Sequence, residues 1–382
     1  IKKENLNLPE KTFPLRVMVC DICWLVQTED FVNASEMFTH EYAYFSSYSS
    51  SFLNHTKEYV DKMVSKFSLD ENSSVLEVAS NDGYLLNFVK KLNIKCLGVE
   101  PTKSTADVAR SKGLEIIGDF FSTNLAKKIA KDKNTVDLAI ANNVLAHVPN
   151  INDFVKGFYE ILKPEGVATF ENPHLLELAN GKQFDTIYHE HFSYLSLTSV
   201  NEIFKNNGLT IFDVEKIPVH GGSLRYYAQK SDTGRRFISK RVNALLKEER
   251  DAGLTNLAFY RNFQKVAEII RDEFKNFLIE QKNNGKLIAG YGAAAKGNTL
   301  LNFCNISKAL LQFIVDKNPM KQGLYCPGSK IPILDEKQIR VEKPDFIVIF
   351  PWNIKDEIID QLKFTKKWGC KFVVAIPSLS II

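Results

Sequence analysis

Between residues 73 and 177 a short apolar run ending in small or polar residues returns four times: "SSVLEVASNDGYLL", "KCLGVEP", "VDLAIANNVLAHV" and "GVATFENPHLL". Text with helical apolar spacing separates them, as in "STADVARSKG" and "INDFVKGFYEILKPEG". Such an alternation predicts a parallel, doubly wound α/β sheet. Ligands of these sheets collect at the carboxyl ends of the strands, so the polar residues that close each run are the first place to look for chemistry.

The pattern extends in both directions. Upstream, "SFLNHTKEYVDKMVSKFSL" places Phe52, Tyr59, Val60, Met63, Val64 and Phe67 at helical spacing. Downstream, "LTIFDVEKIPVHGGSLRYYAQK" reads as a closing pair of strands, and the stretch from Arg235 to about Asn283 is charged and helical. A second strand, glycine turn and helix then begin at "KLIAGYGAAAKGNTLLNF", followed by "LLQFIVDKNP", "DFIVIFPWN" and "KFVVAIP". Four parts are expected: residues 1–50 as a small N-terminal subdomain, 51–230 as a Rossmann-like first domain, 231–283 as a helical connector, and 284–382 as a second Rossmann-like domain. A chain of 382 residues can bury a core in each of the larger parts. The 49 Lys and Arg against 45 Asp and Glu leave a net charge of +4, too slight and dispersed for a nucleic-acid partner. No apolar run reaches the roughly 18 residues that span a bilayer, and "IKKENLNLPEKTFPL" lacks a secretory signal's apolar core, so a cytoplasmic protein, monomeric by default, is expected.

Only two of the six cysteines form a motif, Cys20 and Cys23 in "CDIC". Two thiolates suit tetrahedral zinc, but a closed structural site needs four ligands, and no further pair stands nearby. Zinc with an upstream pair lost by truncation and two reduced thiols in a small subdomain are equal readings.

The first turn, "LEVASNDGYLL", contributes Glu77, Ala79, Ser80, Asn81, Gly83 and Leu85. The helix after it offers free backbone donors to an anionic group. Glu100 ends the next strand, where an acid binds the two ribose hydroxyls of an adenosine. With one glycine the turn obstructs a pyrophosphate, so S-adenosylmethionine fits better than a dinucleotide. Asp119 and Phe120 would then meet the adenine, and Asn142 and Asn143 the methionine moiety. The alternative is a turn that serves packing alone.

Two further clusters stand out. "YHEHF" at 188–192 gathers Tyr188, His189, Glu190, His191 and Phe192. In an extended segment His189 and His191 share a face and could hold a metal, and aromatic neighbours are ordinary packing residues. "GYGAAAKG" contains Gly290, Gly292 and Ala295 with the dinucleotide spacing, and Asp316 ends the following strand. Alone, that turn favours an NAD-dependent oxidoreductase or a sheet used only for packing.

The strings "HEYAYFSSYSS", "VASNDGYLL", "NNVLAHVPN", "FDTIYHEHFSYLS", "VHGGSLRYY", "YGAAAKGNTLLNF" and "PWN", in this order, resemble the sugar C-methyltransferases that act on nucleotide-linked 4-keto-deoxyhexoses. The resemblance runs from about Pro14 to the end. It implies a zinc-binding N-terminal domain, a central class I methyltransferase domain that binds S-adenosylmethionine, and a C-terminal domain that helps hold a thymidine-type nucleotide sugar. It further implies His191 as general base, with Tyr188, Glu190, His147 and Tyr42 beside it. His220, Gly221, Gly222, Arg225, Lys296, Trp352 and Asn353 would face the sugar nucleotide. The family's zinc is held by four cysteines, and this sequence departs from that with Cys20 and Cys23 alone. The chemistry suits the residues. Methylating a carbon beside a ketone requires a base with a pKa near working pH and donors to the enolate oxygen. A binding module without turnover is the third reading.

Overall fold

The computed structural model describes residues 1–31, 37, 45–48 and 50–382. Tyr42, expected at the site, lies outside the described residues. The N-terminal segment forms a hairpin of β1 (Val17–Val19) and β2 (Val26–Thr28). Its turn carries both CxxC cysteines and is closed by Cys20 N–H donating to the Leu25 carbonyl at 3.0 Å. After the helix Ser50–Phe67 come β3 (Ser74–Val78), β4 (Lys95–Val99), β5 (Ile116–Ile117), β6 (Val136–Asn142), β7 (Leu162–Pro173), β8 (Ser193–Tyr194), β9 (Leu209–Ile217) and β10 (Ser223–Lys230).

Seven of these strands make one sheet in the order β5-β4-β3-β6-β7-β10-β9. All run in the same direction except β10, which is antiparallel to both its neighbours, β7 and β9. The strand after β3 lies on one side of it and β6 on the other, so a crevice opens at their carboxyl ends. Burial on both faces explains why the strand text is apolar throughout. Tyr59, Met63, Leu86, Ala106 and Ala109 cover one face, and Phe154, Phe158, Val200, Phe204 and Leu245 the other. This is the class I methyltransferase architecture expected of the central part.

The remaining strands, β11 (Ile288–Tyr291), β12 (Phe313–Val315), β13 (Ile333–Leu334), β14 (Phe346–Ile349), β15 (Lys371–Val374) and β16 (Ser380–Ile381), form a second sheet in the order β13-β12-β11-β14-β15-β16. It is parallel except for β16 and has its own switch point between β11 and β14. The charged stretch between the sheets divides by burial. The helix Lys240–Asp251 packs Val242 and Leu245 on the first sheet, while the helix Phe263–Asn283 packs Ala267, Ile270, Phe274, Phe277 and Leu278 on the second.

Helix Lys240–Asp251 is fastened by one fully buried carboxylate. Glu249 accepts hydrogen bonds from the N–H groups of Leu197 and Thr198 (both 2.7 Å), the Thr198 hydroxyl (2.6 Å) and His174 Nε2 (2.7 Å). The first two are donors at the start of the helix Leu197–Asn206, which a helix cannot satisfy from within. Burial works against the charge, but the His174 bond and these donors outweigh it and hold the Glu249 carboxyl below the ordinary range. Removing the carboxylate strands several buried donors, so Glu249→Ala should cost about 3 kcal/mol in urea unfolding. Since the folded pKa is depressed, this stabilisation is full above the ordinary carboxylate range and lost as pH falls through the folded value. An unfolding free energy within about 1 kcal/mol of the parent would contradict this account.

Candidate active site

Residues 184–192 cross the mouth of the first sheet with only two short turns, Phe184–Thr186 and one closed by the His191 N–H on the Tyr188 carbonyl at 2.9 Å. Their shape is therefore set by partners elsewhere. The Phe192 N–H donates to the Ala146 carbonyl at 2.8 Å, joining the loop to the end of β6. From the N-terminal hairpin the Thr28 hydroxyl donates to the His191 carbonyl at 2.8 Å, and β8, just beyond the loop, pairs with β2. From the C-terminal domain the Thr299 hydroxyl donates to the Ile187 carbonyl at 3.0 Å.

In this frame His191 lies 4.7 Å from His147, edge to face, and 4.2 Å from the Tyr188 ring, with Tyr194 at 6.0 Å. Its Nδ1 is 3.0 Å from the Thr186 carbonyl oxygen. A carbonyl only accepts, so Nδ1 carries the proton and Nε2 keeps its lone pair. His147 is bonded to the backbone of Glu190. His189 diverges from this group. Its Nε2 bonds to the Pro14 carbonyl at 3.0 Å and its ring meets Phe13, so the two histidines do not share a metal.

The histidines in the recess are kept neutral. Burial, then the charges of His147, Lys296 and His220, holds His191 well below its ordinary pKa. Burial lowers His147 to about 4, against a small opposing contribution from the Glu190 backbone. Burial and Lys296 lower His220 to about 4. His220 Nε2 has no hydrogen-bond partner among the described residues. His220 (φ 54°), Gly221 (φ 87°) and Gly222 (φ 108°) form a tight turn between β9 and β10. A Cβ on Gly221 would come within 2.7 Å of the Trp352 ring, and one on Gly222 within 2.8 Å of Glu177.

At the crevice beside β3, Glu100 accepts the N–H groups of Asn81 and Thr102, both at 2.9 Å. Ala79 (φ 56°), Asn81 (φ 49°) and Gly83 (φ 74°) bend the turn back on itself. Glu77 Oε2, Ser80 Oγ and Asn142 Oδ1 are buried with no partner among the described residues, so the crevice has hydrogen-bonding capacity for a polar ligand. Asn143 anchors its own N–H on the Glu171 carbonyl, and Asp119 and Phe120 stand exposed on the loop after β5. These residues fit S-adenosylmethionine.

Three expected positions are used otherwise. Gly83 lies against Leu114 and Ala109, where a Cβ would stand 2.2 Å from Leu114, so the glycine serves packing. The Leu85 side chain is in the core and only its backbone remains available. Arg225 is buried on Glu171 at 2.8 Å with Glu215 at 3.6 Å, which spends its guanidinium inside the protein.

On the C-terminal side, Lys296 Nζ donates to Asn353 Oδ1 at 2.9 Å and lies 4.4 Å above the Trp352 ring. Burial lowers the Lys296 pKa, opposed by the charge of Asp185. Asp316, the acid a dinucleotide would need, accepts the N–H groups of Ala293 and Asn318 at 2.8 Å each and faces Lys321 at 3.7 Å. It braces the turn itself. Neither Asp185 nor Thr28 stands out in the sequence, since both act through partners far away in the chain. Cys20 and Cys23 are free thiols, and no group of three or more metal-ligating side chains occurs among the described residues. The described ligands do not complete a closed zinc site.

Three family descriptions match along the chain: "Putative zinc binding domain" over residues 1–38, "Methyltransferase domain" over 52–214 and "C-methyltransferase C-terminal domain" over 218–377. The chain is similar to the C-methyltransferase NovU of Streptomyces niveus, with 34% identity over 373 residues that cover 98% of this chain and 88% of that protein. A shorter likeness, 24% identical over 98 residues, is to the ubiquinone biosynthesis O-methyltransferase of Bartonella tribocorum (strain CIP 105476 / IBS 506), covering 25% of this chain and 40% of that one. Among solved structures, the PH0226 protein of Pyrococcus horikoshii OT3 covers 49% of this chain and 95% of its own, at 17% identity and a TM-score of 0.41, too loose a likeness to bear on function.

The depressed pKa values have a direct readout. Histidine resonances of His147, His191 and His220 should stay unchanged between about pH 8 and 6, because each ring is neutral throughout. A titration of any of the three with a midpoint near the ordinary histidine value would contradict the burial described.

Proposed function

The chain belongs to the C-methyltransferase family of its Streptomyces niveus relative, and from that premise we propose that it methylates C-3, beside the 4-keto group of a nucleotide-linked deoxysugar, through an enolate raised by His191. It is an S-adenosylmethionine-dependent C-methyltransferase. One observation supports His191 as base before any other. Its Nδ1–H is committed to the Thr186 carbonyl, which leaves a bare Nε2 in a recess between the two sheets.

The residues divide the work by position. Glu100 would take the ribose hydroxyls of the cofactor, with Asp119 and Phe120 at the adenine and Ser80, Asn81, Asn142 and Asn143 around the amino-acid end. S-adenosylmethionine supplies an electrophilic methyl group on sulfur. Lys296 and the Gly292 turn would meet the substrate diphosphate, with His220, Trp352 and Asn353 lining the cleft. An anionic ligand at Lys296 counters a charge that now depresses His191, so substrate binding would move the base towards working pH. His191 Nε2 takes the proton from the carbon beside the ketone. The C–H electron pair passes into the enolate, whose oxygen the Tyr188 hydroxyl would stabilise as a donor, since the neutral His147 ring has its one N–H on the Glu190 backbone. The enolate carbon then accepts the methyl group, and excluding water from the recess protects it meanwhile. Arg225, already paired, is not given a substrate role.

His191→Ala should keep S-adenosylmethionine binding in calorimetry. It should lose both methyl transfer and solvent deuterium exchange at the carbon beside the ketone by about 10²- to 10⁴-fold, across a panel of thymidine and uridine diphosphate 4-keto-6-deoxyhexoses. Undiminished exchange would remove His191 as base. Glu100→Ala should weaken S-adenosylmethionine binding at least tenfold, an effect on the order of 1.4 kcal/mol, with exchange retained. Tight binding of NAD with none of S-adenosylmethionine would overturn the cofactor assignment.

A further inference from the structure

Among the buried acids that the mechanism leaves unused, Asp185 stands nearest the base in sequence. Asp185 begins the segment that ends at His191, and its carboxyl is almost wholly enclosed, 1% exposed. Oδ2 accepts the indole N–H of Trp352 at 2.7 Å. Oδ1 has no hydrogen-bond partner among the described residues. Trp352 follows β14 at the switch point of the second sheet, and its ring touches the turn at Gly221 on one side and Lys296 on the other. The residue after Asp185 is Thr186, whose carbonyl fixes the Nδ1 proton of His191.

We propose that Asp185 is a positioning residue for the base: by gripping Trp352 it fixes the Phe184–Thr186 turn to the C-terminal domain, and the Thr186 carbonyl carried by that turn sets the tautomer and aim of His191. The inference rests on the reading of His191 as base. Its physical logic is that the turn is held within itself, by the Ile187 N–H on the Phe184 carbonyl at 3.0 Å and the Thr186 hydroxyl on the Gln183 carbonyl at 2.7 Å, so it moves as a unit and the aim of the Thr186 carbonyl depends on what holds that unit. Phe184 packs on Phe303 at 5.2 Å, a contact that holds the turn down without fixing its rotation. The Asp185–Trp352 bond supplies direction. Burial raises the Asp185 pKa to about 6 against the pull of Lys296, so at neutral pH the acceptor is mainly charged and the indole bond is charge-assisted.

The arrangement links two events. A ligand that moves Trp352, Asn353 and Lys296 would shift Asp185 and with it the carbonyl behind the base. The base is thereby aimed when the nucleotide cleft is formed, and an empty or displaced C-terminal domain would leave it misaimed.

The first test needs no substrate. In histidine-labelled ¹⁵N spectra, with His191 identified by its absence from His191→Gln, the full chain should show His191 protonated at Nδ1. Asp185→Ala and Trp352→Phe should each convert a large fraction to the Nε2–H form, and Asp185→Asn, which keeps an oxygen for the indole, should restore the parent spectrum. An unchanged His191 tautomer in folded Asp185→Ala and Trp352→Phe would overturn the proposal. The second test uses deuterium exchange on a thymidine diphosphate 4-keto-6-deoxyhexose. Both variants should lose about 10- to 100-fold in the maximal rate. The double variant should be no slower than the worse single one, because both remove one bond. A raised KM with an unchanged maximal rate, or a lower melting temperature with unchanged rate, would overturn it as well. Lack of exchange by the parent enzyme itself would count against the assigned reaction and leave the spectroscopic result to decide the role of Asp185.

Discussion

A stretch of nine residues, 184–192, carries the candidate base and has only two tight turns of its own, Phe184–Thr186 and one closed by the His191 N–H on the Tyr188 carbonyl at 2.9 Å. Its conformation is bought from three directions: Thr28 in the N-terminal hairpin, Ala146 at the end of β6, and Thr299 with Trp352 in the C-terminal domain. Each contact is individually worth about 1 kcal/mol, and none would order the loop alone. Together they bind the three parts of the chain to one short segment. The N-terminal segment also reaches the far domain, where Lys330 Nζ donates to the Leu6 carbonyl at 2.7 Å and the Gly328 N–H to Glu10 at 2.8 Å.

The same crowding sets the electrostatics of the recess. Three histidines and a lysine share a space that disfavours positive charge, and their mutual repulsion adds to the cost of burial. The rings respond by staying neutral. A neutral imidazole with one nitrogen pinned as donor presents a lone pair on the other, so desolvation and the Thr186 hydrogen bond together define a base. Lys296 keeps a cation beside these rings, opposed by the Asp185 carboxylate, and an anionic substrate would add to that counter-charge.

Much of this architecture was legible in the sequence because it depends on local patterns. Doubly buried strands announce themselves as apolar runs, and Glu100 and Asn142 stand at their carboxyl ends, with His147 in the turn after β6. The cluster at 188–192 was visible too, although its letters alone allowed a metal as readily as a base. The split between His189 and His191 required coordinates, since it depends on Pro14 and Thr186 lying on opposite sides of the loop. Other features were illegible for the same reason. Gly83 reads as a ligand turn but is demanded by Leu114 and Ala109 packed against it. Arg225 reads as a substrate cation, yet the register of β10 on β7 sets it opposite Glu171. Asp185 and Glu249 look like ordinary acids until partners 167 and 52 residues away in sequence are seen beside them.

The central claim is that the loop aims Nε2 of His191 at the carbon to be methylated. A crystal structure with S-adenosylhomocysteine and a thymidine diphosphate 4-keto-6-deoxyhexose bound together would test it most directly. The account predicts Nε2 within about 3.5 Å of the carbon beside the ketone, with the cofactor sulfur on the approach line to that same carbon. A complex in which His191 Nε2 turns away from the sugar, or in which another side chain occupies that position, would contradict it.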